Sequence, residues 1–255
     1  MAPPTTAGAD DAAPDVRPRS SVNETAAVGA EESDATMSDA EFRARQIPKL
    51  RGWFHVGALA GVLIAGPILV AHGRSPAQHA VLALYVFTLV ALFGVSSVFH
   101  RFSWSKAAHR RIRRVDHVTI FLAIAGTYTA IGALVLSGWI ERIVLAIAWG
   151  GALGGIVLRQ CWLDAPKWAV ALPYVVVGWS ALAFTVPLVR GLGGLGFALV
   201  VLGGASYTAG AIVYARKRPN FVPGVYGFHE LFHCCTVLGA TLQFLAVAFF
   251  ALPHS

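Results

Sequence analysis

The sequence predicts an all-α polytopic membrane protein, a bundle of seven transmembrane helices with its N-terminus in the cytoplasm and its C-terminus outside. Three observations predict it. Of 255 residues, 56% are hydrophobic and only 13% charged, with a mean hydropathy of +0.63; a soluble domain of this length cannot hide so much apolar surface. Apolar stretches of about 20 residues recur along the chain, each long enough to cross a hydrocarbon core of about 30 Å as a helix. The basic residues between those stretches fall almost entirely on alternate sides, as membrane topology requires.

The elements follow in order. Residues 1–41 hold nine of the thirteen acids and only Arg17 and Arg19 as cations. Residues 1–45 bury too little to offset their ordering entropy, so they are expected to form a disordered acidic cytoplasmic tail. This stretch has no apolar signal-peptide core, and the first span is expected to act as its own uncleaved insertion signal. A single seven-helix domain then occupies residues 46–255.

The first span, near 53–72, follows Arg43, Arg45, Lys49 and Arg51. It carries Gly57 and Gly61, small residues four apart that let helices approach closely in lipid. The second, near 80–100, ends at His100 and runs into a basic loop with Arg101, Lys106, Arg110, Arg111, Arg113 and Arg114. The third, near 116–136, opens on Asp116. The fourth, near 140–158, and the sixth, near 193–214, are rich in glycine, a packing signal. The fifth, near 168–188, follows Arg159 and Lys167. The seventh, near 227–251, follows Arg216, Lys217 and Arg218 and opens on His229 and His233.

Summed over alternate sides, fifteen Lys and Arg stand against three, Arg74, Arg142 and Arg190. That asymmetry places the N-terminus in the cytoplasm, and seven crossings leave the C-terminus outside. It also accounts for the net charge of +7. The excess cations serve topology, and no basic-aromatic surface module for nucleic acid is present. Cys161, Cys234 and Cys235 are odd in number, and two of them are adjacent in an apolar segment, which implies packing and no disulfide framework.

Ionisable groups at membrane depth are costly and mark function. Four stand out: His100, Asp116, His229 and His233. They come from three spans far apart in sequence, and the orientation above brings all four to the cytoplasmic end of the bundle. His229 and His233 share one helical face. This is how a helix presents two imidazoles to one metal, and His100 adds a third neutral nitrogen, leaving a fourth position for water. Zinc suits that donor set. Ser96 lies one turn before His100 and Ser97 three residues before it, so either hydroxyl can face the site. Thr236, Ala240 and Gln243 continue the His229/His233 stripe inward. Asp116 serves the metal site or pairs with an arginine of the preceding loop. The isolated histidines His55, His72, His79, His109 and His254 are read as interfacial anchors, and so is His117, which points about 100° away from Asp116. His229-Glu230-Leu231-Phe232-His233 also spells H-E-x-x-H, the helix in which a zinc protease uses its glutamate as general base. That alternative leaves His100 without a role.

Ser96-x-x-x-His100, Asp116 and His229-x-x-x-His233 together resemble the hemolysin III group of the progestin and adipoQ receptor family. The wider superfamily includes alkaline ceramidases. Val115-Asp116-His117 with Ala125-Gly126-Thr127-Tyr128-Thr129 is similar to the third-helix signature, and Gly227-Phe228 leading into His229 to the seventh. The resemblance spans residues 45–252. It implies a seven-helix fold and a zinc held by His100, His229 and His233, with Asp116 and Ser96 beside the bound water. Three functions follow from it: a zinc hydrolase of a membrane lipid amide, a non-catalytic sensor of membrane state with structural zinc, and a membrane-lytic protein. No export signal or amphipathic lytic segment supports the last. A structural zinc usually has four protein ligands and this set has three clear imidazoles, which favours the hydrolase. Asp116 is then the base, Ser96 holds water or oxyanion, and the partner is a membrane lipid in the cell membrane.

Overall fold

The computed structural model describes residues 52–162, 166–222 and 225–254, together with Ser38, Glu41 and Leu50. The rest of the acidic tail lies outside these residues. Among the described residues the chain is all-helical, with one isolated bridge pair, Val222 and Tyr226, and no strand. Six helical stretches are long and apolar enough to cross a membrane.

Local chemistry sets where the helices begin. Helix α1 (Trp53–Ala71) starts after Gly52, whose φ of 83° is left-handed and suits glycine. Helix α2 (Pro76–Arg101) has Ser75 as its cap: the Ser75 hydroxyl accepts from the Gln78 N–H at 3.2 Å, and proline fills the first turn, where its missing N–H costs nothing. Ser105 likewise caps α3 (Lys106–Val135) by accepting from the Ala108 N–H. This cap starts the helix ten residues before the apolar span expected at Asp116. The basic stretch is therefore helical, and Asp116 sits well inside α3. Helix α4 (Gly138–Cys161) follows.

The expected fifth and sixth spans form one long helical stretch, Leu172–Arg216. It comprises the end of α5 (Lys167–Trp179), a 3-10 turn (Ser180–Phe184) and α6 (Thr185–Arg216). As a straight α-helix its 45 residues would extend about 68 Å, more than twice a bilayer core. It is not straight. Gly193 breaks α6 with φ 70° and ψ 169°, a backbone conformation essentially restricted to glycine. The Trp179 indole N–H donates to Thr208 Oγ1 at 2.8 Å, and these two residues lie almost equidistant from Gly193 in sequence. The chain therefore doubles back at Gly193, and its two arms pack against each other.

Helix α7 (Phe228–Ala246) runs into a π-helical turn (Val247–Ala251). Sequential helices pack side by side, and α7 returns to pack on α1. The bundle thus brings the first turn of α7, the first turn of α1 and the last turn of α2 to one end. Tyr85, Phe93, Phe121, Leu82, Leu89 and Leu192 are fully buried between helices. Ile64, Phe87, Trp139 and Leu195 point outward, the arrangement of a protein whose outer solvent is lipid.

The glycine reading is partly corrected. A Cβ added at Gly57 or Gly61 would meet nothing, so this pair makes no helix contact among the described residues. Close approach occurs at Gly155 of the glycine-rich fourth span, as expected, where an added Cβ would collide with Phe121 of α3, and also at Gly126, where it would collide with Thr88 of α2. Spacing alone marks small residues but not which face of the helix meets a neighbour.

Candidate metal centre

Three imidazoles meet at this end of the bundle. His100 comes from the last turn of α2, and His229 and His233 from the first turns of α7. The ring centroids are 4.8 Å apart for His100 and His229, 4.7 Å for His100 and His233, and 4.6 Å for His229 and His233. One donor atom from each lies within 4.8 Å of the others, a group able to hold a metal ion. Nitrogens held at 2.0–2.1 Å around a tetrahedral ion stand about 3.3 Å apart, so small side-chain adjustments suffice to close the set. Tyr214 and Phe232 flank His229 and His233, with Tyr214 5.9 Å from His229 and Phe232 5.4 Å from His233. Neutral imidazoles fit this aromatic setting, and nitrogen donors of intermediate softness suit zinc.

The expected polar stripe on α7 points inward: Thr236, Ala240 and Gln243 are all buried. Asp116 of α3 is also buried and does not belong to the compact group of three imidazoles. Its side-chain partner is Ser96, which lies within hydrogen-bonding reach. That contact separates the two candidate serines, because the Ser97 hydroxyl is buried without a hydrogen-bond partner.

Glu230, the acid of the H-E-x-x-H pattern, has a different local task. Its Oε2 accepts from the Gly227 N–H at 2.9 Å, closing the start of α7 as the third residue of a helix does in a capping box. Cys234 and Cys235 stand outside the imidazole group; Cys234 Sγ lies 3.5 Å from the Tyr226 hydroxyl.

Two of the isolated histidines depart from the interfacial reading. His55 is 2% exposed. Its Nε2 lies 2.9 Å from His233 Nδ1, and its ring stands edge-to-face with Phe93. The burial follows from the closure of α7 onto α1, a contact that no local pattern carries. The available signal was depth: His55 lies in the first turn of its helix, at the end of the bundle that holds the other imidazoles. His117 is half-buried. Its Nδ1 faces the Arg113 carbonyl, and its Nε2 lies 3.5 Å from Arg159 of α4. His72 and His79 are exposed, each with Nδ1 against a backbone carbonyl of its own turn.

A second missed residue is Gly52. A Cβ there would stand 3.0 Å from the His100 Cβ, so the left-handed turn before α1 is also the wall against which His100 rests.

The chain matches the family model described as "Haemolysin-III related" over residues 44–244. It is similar to Hemolysin-3 of Bacillus cereus, with 28% identity over 200 residues, covering 78% of this chain and 88% of that protein. It is likewise similar to a Hemolysin-3 homolog of Bacillus subtilis (strain 168), 29% identical over 198 residues, covering 75% and 90% respectively. The matched region runs from before α1 into α7 and so contains both helices, α2 and α7, that supply the three imidazoles. This chain is a multi-pass membrane protein of the haemolysin III family.

Proposed function

We propose that the protein is a zinc-dependent hydrolase acting on the amide bond of a membrane lipid at the cytoplasmic end of a seven-crossing bundle. The observation that carries this reading is the division of labour among the buried groups: three imidazoles converge, while the two buried carboxylates stand outside their set, Glu230 bound to the start of its own helix and Asp116 left for chemistry. A catalytic zinc keeps three protein ligands and one open position, whereas a structural one is closed by four. His100, His229 and His233 would hold the ion, which when bound supplies Lewis acidity and lowers the pKa of water. Asp116 is the group that takes the proton from attacking water and returns it to the leaving amine. Ser96, beside Asp116, is the residue assigned to hold its carboxyl in place.

The crossing number and orientation belong to the same reading. Reversal at Gly193 supports reading the long helical stretch as two crossings, for seven in all. The Lys and Arg asymmetry supports a cytoplasmic N-terminal tail, and with it a cytoplasmic site for this end of the bundle. The decisive experiment is to purify the protein in detergent, measure zinc, and assay release of fatty acid from a panel of ceramide-type amides and lipid esters. Zinc-loaded protein that turns over no member of the panel refutes the hydrolase and leaves a non-catalytic membrane-state sensor.

A further inference from the structure

Closure of α7 onto α1 brings His55 to His233. Their facing nitrogens, His55 Nε2 and His233 Nδ1, are 2.9 Å apart, and the rings are nearly perpendicular at 82° with centroids separated by 4.2 Å. A separation of 2.9 Å is a hydrogen bond. Two nitrogens bound to one tetrahedral ion stand about 3.3 Å apart, and His55 is not in the compact donor group. His55 is thus not a fourth ligand.

The bond makes the protonation of the two rings interdependent. A neutral imidazole carries one N–H and one lone pair. If His55 donated, His233 would accept at Nδ1 and carry its proton on Nε2, where it could not bind a metal. If His233 donates from Nδ1, its Nε2 lone pair is available to the ion. Histidine ligands commonly donate their second ring N–H to an acceptor that fixes ring orientation and raises basicity. Here the acceptor is an imidazole.

The cost of placing His55 there shows that the position is not simply one of packing. The ring is 2% exposed, its Nδ1 is buried without a hydrogen-bond partner, and the His233 contact is its polar anchor. A leucine would fill similar space beside Phe93 without burying an unsatisfied polar atom.

We propose that His55 is a positioning residue of the metal centre: it accepts a hydrogen bond from His233 Nδ1 and so assigns Nε2 of His233 to the metal. This inference rests on the metal reading of the three imidazoles. It is tested on the full chain in detergent micelles by zinc competition against a chromophoric chelator, alongside the melting temperature of the metal-free protein. His55→Leu should lower zinc affinity by about 10- to 100-fold, the range seen when such outer partners are lost. His55→Gln places a carbonyl oxygen near the position of Nε2 and should recover most of the affinity. His55→Asn is as polar but too short and should not. If His55→Leu fails to fold, the comparison of Gln with Asn carries the test.

Zinc bound equally by wild type and His55→Leu overturns this inference alone, as does equal weakening in the Gln and Asn variants. A wild-type protein that binds no zinc overturns the metal reading and this inference with it.

Discussion

The Glu230 carboxylate accepts the Gly227 N–H at 2.9 Å from a position that is 3% exposed. One hydrogen bond thus ties the acid of the H-E-x-x-H pattern to the start of its own helix. Glu230→Gln preserves an acceptor oxygen, so zinc content and turnover should remain close to wild type. Glu230→Ala removes the cap and should cost about 0.5–2 kcal/mol of stability, read as a lower melting temperature. Loss of turnover in Glu230→Gln with zinc retained would instead support protease-like chemistry.

Asp116 should behave in the opposite way. Asp116→Asn is nearly isosteric and keeps contact with Ser96, so fold and most of the zinc should survive. Hydrolysis of the lipid amide should fall by about 10²- to 10⁴-fold, because an amide side chain cannot take the proton. Zinc content and turnover measured on the same preparation separate this outcome from simple loss of metal.

Each of His100→Ala, His229→Ala and His233→Ala should reduce zinc from about one ion per chain to background. Elemental analysis after gel filtration checks it. Full retention in His100→Ala would remove α2 from the site and leave the two histidines of α7 with another partner.

Gly52→Ala should destabilise the protein by about 1–3 kcal/mol, since φ 83° is a region that side chains rarely adopt. The new Cβ would also stand 3.0 Å from His100 Cβ and 3.2 Å from Arg101 Cγ. Zinc affinity should fall along with the melting temperature. A variant that melts lower but binds zinc as wild type would limit Gly52 to the turn before α1.

The proposed seven crossings and cytoplasmic N-terminus require the C-terminus to be external. A reporter active only in the cytoplasm, fused after Ser255, should stay silent, while the same reporter fused before α1 should be active. Activity at both ends would mean an even number of crossings and a different role for the Trp179 and Thr208 pairing.

Much of the architecture is local in origin and was legible without coordinates. Hydropathy over about 20 residues marks the membrane segments, because each must satisfy its own backbone in lipid. His229 and His233 could be placed on one face because helical geometry fixes the relation of residues four apart. His100 could be joined to them because it shares a helix-end depth with them, which is again a property of each segment taken alone. Other features depend on which helices meet. Tertiary packing took Gly57 and Gly61 out of the helix contacts and added Gly126 to them, beside Gly155 of the glycine-rich fourth span. It turned two expected spans into one helical stretch folded at Gly193. His55 and His79 both lie in the opening turn of an apolar helix, yet one is buried against His233 and the other faces outward. The difference is that α7 closes onto the first turn of α1, a long-range contact set by the packing of the whole bundle and absent from the residues around His55.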